Sequence, residues 1–103
     1  MGEPIIWIEI NTDDTVTKKT VTGPLQLEDI QAVVGDPIDM APGILDGQSG
    51  DLYINDNALM LGMDPNDIAT RIYWNARPDL EQDGYGPAIY GNAVLVINDM
   101  ESL

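Results

Sequence analysis

Carboxylates are the only side chains abundant enough in this chain to suggest chemistry. Of its 103 residues, 18 are Asp or Glu and 4 are Lys or Arg, while histidine and cysteine are absent. That rules out Ser-His-Asp and Cys-His nucleophiles, imidazole and thiolate metal ligands, and disulfides. Ser49 and Ser102 have no neutral base to activate them, and Lys18 and Lys19 fall on a predicted surface strand, where an amine stays protonated. Paired carboxylates remain as a route to acid–base catalysis. The adjacent pairs, Asp13-Asp14 and Glu28-Asp29, sit where acids ordinarily face solvent. The expectation is a non-enzymatic protein.

Metal binding through oxygen ligands fails on spacing. An EF-hand loop needs acids at alternate positions and a glycine at the sixth, which Asp46 to Asp51 (DGQSGD) does not supply. Asn55-Asp56-Asn57 has suitable atoms for Ca²⁺, but a tight turn accounts for the same residues. The stretch GILDGQSGD lacks the lysine and the strand–helix context of a phosphate loop. A nucleotide would depend on helix N-termini, Arg71, Arg77 and aromatic stacking. Neither a metal nor another cofactor is expected.

Charge says more. The formal net charge is −14. No basic residue lies between Thr20 and Thr70, a stretch that holds nine carboxylates, among them Glu28, Asp29, Asp36, Asp39 and Asp46. Such a field repels nucleic acid and anionic membranes and attracts cationic protein surfaces, including those that bind nucleic acid. A salt-adapted proteome is another source of acidity, although the many Ile and Asn residues argue against it. Trp74 adds an aromatic anchor. On the helix carrying the stripe Ile68, Ile72 and Ala76, it falls on the far side, beside Asp67 and Thr70. There it is either covered by the segment Asp79 to Pro87 or exposed as a contact. The candidate partner-binding residues are therefore Trp74, Glu28, Asp29, Asp36, Asp39 and Asp46.

Periodicity supplies the elements that position these residues. Pro4 to Ile10 (PIIWIEI) is a β-branched, aromatic run ending at the turn cluster Asn11 to Asp14, with Val16 to Val21 as its hairpin partner and one face on the core. Leu27 to Val34 has helical spacing, acids in its first turn and Gly35 as a stop. Pro37 to Met40 predicts a short strand, and PGILDGQSGD a mobile loop. Leu52 to Ile54 and Ala58 to Leu61 flank Asn55-Asp56-Asn57 as a predicted hairpin. Asp64 to Ala76 predicts a helix with Asp64 as its cap and Pro65 in its first position. Asp79 to Pro87 is expected to be a loop, and Ala93 to Ile97 (AVLVI) a central strand. Together these predict one α+β domain over residues 1–103, with a small mixed or antiparallel sheet of about five strands and two helices packed on it. No apolar run approaches the ~18 residues of a membrane span. The acidic start Met1 to Pro4 does not resemble a secretory signal, so a cytoplasmic location is expected.

Several short motifs occur in a familiar order: Val34-Gly35, Asn55-Asp56, Leu61-Gly62, Asn66, Ala69-Thr70, Gly86-Pro87-Ala88 and Gly91. With the apolar strands that frame them, from Ile5 to Ile97, they resemble a family of small phage and actinobacterial domains, domain of unknown function 3846. Departures are Gly35-Asp36 after the first helix and fewer Lys and Arg residues than the family usually carries. The resemblance implies a small α+β domain of phage or mobile-element origin and transfers no catalytic residue. The expected function is that of an acidic, phage-type accessory protein that binds and inhibits a host protein, in the manner of a DNA mimic. A nucleotide-signal-binding protein and a virion assembly component are the alternatives.

Overall fold

The computed structural model describes residues 4–22, 24–77 and 88–98. Five strands and two helices follow in the order β1 (Pro4–Ile10), β2 (Val16–Thr22), α1 (Leu27–Val34), β3 (Ile38–Leu45), β4 (Gln48–Asn55), α2 (Asp67–Ala76) and β5 (Ala93–Asn98). The strands form one sheet, β2-β1-β5-β4-β3, in which every pairing is antiparallel. This is the expected small α+β fold, and its continuous apolar strand is central as predicted. The segment expected as a loop at 79–87 lies outside the described residues.

β1 buries both of its faces while β2 is exposed at six of its seven positions, which corrects the expectation that the β1–β2 ribbon buries one face. Alternation along β1 sends Ile6, Ile8 and Ile10 to a core with Leu52, Leu95, Ala69 and Ile72, beneath α2. It sends Ile5 and Trp7 to a second core with Val94, Val96, Ile30 and Val34, beneath α1. The two helices therefore cover opposite faces. This is why β5, between β1 and β4, is apolar at five successive positions, Ala93 to Ile97, all of them buried.

The predicted mobile loop PGILDGQSGD is instead most of a hairpin. β3 and β4 pair from Ile38↔Asn55 to Leu45↔Gln48. They are joined by Asp46 (φ 53°) and Gly47 (φ 81°), both in the left-handed region required by the tight turn that suits strand twist. The other two glycines belong to the strands because neighbours come too close for a side chain. A Cβ on Gly43 would lie 2.8 Å from Ile72 Cγ2, and one on Gly50 would lie 2.5 Å from the Val96 carbonyl oxygen. The predicted hairpin around Asn55-Asp56-Asn57 is also corrected. Residues 52–54 complete β4, and 56–62 form a hydrogen-bonded turn.

α2 begins two residues later than predicted, at Asp67 instead of Pro65, and its cap is Asn66, not Asp64. Asn66 is fully buried. Its Oδ1 accepts from the Ala69 N–H at 3.1 Å, while Nδ2 donates to the carbonyls of Ile10 and Gly91, each at 2.9 Å. An aspartate offers no such donor, so the amide alone can cap the helix and tie it to β1 and to the approach to β5. Thr70 extends the junction: its hydroxyl donates to the Asn66 carbonyl and accepts from the Ile89 N–H. Asn55 does similar work on the α1 side, donating to the carbonyls of Val34 and Asp36 and accepting from the Asn57 N–H.

Candidate functional site

Antiparallel topology decides which carboxylates meet. β1 and β4 end where β2, β3 and β5 begin. That end of the sheet is built from residues 11–15, 35–37, 56–66 and 91–92, together with the start of α2. It holds Asp13, Asp14, Asp36, Asp56, Asp64 and Asp67, all exposed, and these segments contain no Lys or Arg. Five strands at about 4.8 Å spacing make this end of the sheet about 19 Å across, about two screening lengths at physiological salt.

The sequence-predicted site residues divide between the two ends. Asp36 belongs to the acidic end, and Asp39, second in β3, lies beside it with its carboxylate accepting from the Met40 N–H at 2.8 Å. Asp46 is in the β3–β4 turn, seven residues from Asp39, which is about 23 Å along the strand. Glu28 and Asp29 are exposed in the first turn of α1. That turn lies at the opposite end of the sheet, because α1 reaches the acidic end only at Val34, where Asn55 bonds it. Trp74 is half-buried near the end of α2. Its neighbour Asn75 donates to the Ile44 carbonyl, which also places it at the far end. The fold thus keeps Asp36 and Asp39 together and separates them from Glu28, Asp29, Asp46 and Trp74. It adds Asp13, Asp14, Asp56, Asp64 and Asp67, whose grouping depends on strand order.

Within the acidic end, Asp13 accepts from both the backbone N–H and the hydroxyl of Thr15. These bonds, the hydroxyl's first, hold its carboxyl below the ordinary value of 3.8. Across the sheet, burial and then the neighbouring Asp51 charge push the Tyr53 phenol above 10.0, so it stays neutral.

A cleft of about 480 Å³ opens between α1 and the β1–β2 ribbon. Lys19 lies over the Trp7 ring, 5.2 Å from its centroid, and the Trp7 Nε1–H donates to Glu9 at 3.1 Å. Glu9 and Asp29 both line the cleft, so its single ammonium faces two carboxylates. Such a lining disfavours phosphorylated ligands. Among the described residues no three carboxylates are grouped as a metal site, and no helix is long and apolar enough to cross a membrane.

A family model described as a domain of unknown function (DUF3846) matches residues 5–102. The chain belongs to that family. No match was found among curated proteins or among solved structures. Several residues that carried the resemblance are architectural here. Asn55 and Asn66 fasten chain crossings, Ala69 and Thr70 are on the buried face of α2, and Gly91 (φ 83°) would place a Cβ 2.7 Å from Met63 Sδ.

Proposed function

We propose that the protein is a non-enzymatic accessory protein of phage type that binds and inhibits a host protein by occupying a cationic surface otherwise used for nucleic acid. The observation that carries this reading is the end of the sheet whose connecting segments hold six exposed carboxylates and no Lys or Arg. Clustering on one face is what distinguishes mimicry from acidity that only solubilises, because a phosphate backbone concentrates its charge at about one per 1.7 Å of duplex. A cationic partner gains the attraction that DNA supplies, with fast, salt-sensitive association. The competing reading, a binder of nucleotide signals, rests on the cleft under α1, and the carboxylates lining that cleft weigh against it.

The test is affinity purification from the host cell followed by competition with duplex DNA. The reading expects a basic, nucleic-acid-binding partner that DNA displaces. It expects the variant carrying Asp36→Asn, Asp56→Asn and Asp64→Asn, which keeps shape and removes three charges, to bind more weakly. A partner that holds this protein and DNA simultaneously would rule the reading out.

A further inference from the structure

The acidic end also carries the three most exposed large apolar side chains among the described residues: Leu59, Met60 and Leu61 are 68%, 87% and 60% exposed. The backbone beneath them is fixed. Leu61 N–H donates to the Asn57 carbonyl at 2.9 Å, Gly62 N–H to Leu59 at 3.2 Å, and Met63 N–H to Ala58 at 3.0 Å. Ala58 is buried, and Asn57 N–H donates at 2.8 Å to Oδ1 of Asn55, itself bonded to the end of α1. A turn held this way fixes where its side chains originate, so little backbone ordering remains to oppose binding. Beside it runs a shallow groove of about 380 Å³ lined by Ile54, Ala58, Leu59, Ile89 and Tyr90, with Asp56 also in its wall. That volume lies within the range of about 300–1,000 Å³ in which ligand pockets fall.

Consecutive bare apolar residues on a fixed turn mark a contact surface, and their surroundings define what covers it. We propose that this tip and groove dock an amphipathic helix of a partner protein, its apolar face on Leu59, Met60 and Leu61 and its flanking Lys and Arg side chains toward Asp36, Asp56 and Asp64. The sign of the flanking charges rests on the function proposed above; the apolar contact is a separate observation. A helix fits because its apolar stripe can cover a protruding tip and fill the adjoining groove together. A second copy of this chain would bring the same six carboxylates into opposition, and an anionic bilayer would repel them.

The probe is a synthetic peptide of leucine and lysine in amphipathic helical spacing, about 14 residues long. It is titrated into the isotope-labelled full chain at about 0.15 M salt and followed by amide chemical shifts. Shifts are expected at Ile54, Asp56 and residues 58–61. Burial of one Leu or Met side chain is worth about tenfold to a hundredfold in affinity, so Met60→Ser should weaken binding by at least about tenfold. Because Met60 is almost fully exposed, its melting curve should match wild type, and Leu59→Ser with Leu61→Ser provides an independent second variant. The triple amide variant should lose affinity mainly at low salt.

Shifts spread equally to Glu28, Asp29 and Asp46, with Met60→Ser binding like wild type, would overturn the apolar docking and leave charge-driven binding standing. An amide variant that binds like wild type would overturn the cationic flanks, and with them the function proposed above. No binding even at low salt would overturn both. Self-association through the tip in sedimentation, or binding to zwitterionic vesicles that Met60→Ser abolishes, would replace the helix with another occupant.

Discussion

Replacing Asn66 by alanine tests how the acidic end is held together. The buried amide caps α2 and donates to two carbonyls from elsewhere in the chain, Ile10 and Gly91. Loss of the cap is worth about 1 kcal/mol, and each buried carbonyl left without its donor about 1 kcal/mol more. The expected loss is therefore about 3 kcal/mol, a fall of about 12–24 °C in melting midpoint for a domain of this size. Calorimetry or circular dichroism reads it directly. Asn66→Asp gives a sharper contrast. It keeps the acceptor for Ala69 but sets an oxygen against two carbonyl oxygens, so at neutral pH it should melt below the alanine variant. Burial raises the pKa of that new carboxyl, and a raised acid contributes stability that is lost as pH rises through it. This variant should therefore regain stability on acidification. An Asn66→Ala midpoint within about 3 °C of wild type would refute the reasoning, because it would mean the three bonds contribute almost nothing net.

Gly50→Ala should destabilise by about 1–3 kcal/mol, since its Cβ meets backbone that must move. Gly47→Ala, open to solvent at φ 81°, should lose only about 1 kcal/mol through its left-handed backbone; equal melting losses would contradict this assignment. Asp13 should titrate below 3.8 when followed by carboxyl chemical shifts and return toward 3.8 in Thr15→Val. Because its folded pKa is lowered, whatever its turn contributes is present above the ordinary value and lost as pH falls through the lowered one. An unchanged titration in Thr15→Val would remove the hydroxyl as the cause.

What the sequence made legible follows from where local pattern and tertiary need agree. PIIWIEI, LEDIQAVV and AVLVI each carry a period or composition that suits their final burial, and all three elements form near their expected bounds. The β3–β4 hairpin was hidden because Gly43, Gly50 and Pro42 read as loop punctuation. The two glycines make room for Ile72 and for the β5 backbone, and Pro42 is tolerated because β3 is an edge strand. The Asp46-Gly47 dipeptide was the available signal for that hairpin. Asp64-Pro65 imitates a helix start, but only an amide satisfies both the helix and the two carbonyls, a demand that arises from distant Ile10 and Gly91. Grouping of the acids was not legible for the same reason. Asp13 and Asp64 share an end only because the strand order sets β1 beside β5 and β5 beside β4.

The claim that this end docks a cationic protein surface is tested most directly by salt dependence. Affinity for the partner captured from host cells is measured across salt concentrations for the wild-type chain and for the Asp36→Asn, Asp56→Asn, Asp64→Asn variant. Docking through the carboxylates predicts that wild-type affinity falls steeply with salt, and that the variant is weaker at low salt with a visibly shallower slope. Superimposable wild-type and variant slopes, with undiminished variant affinity, would contradict it.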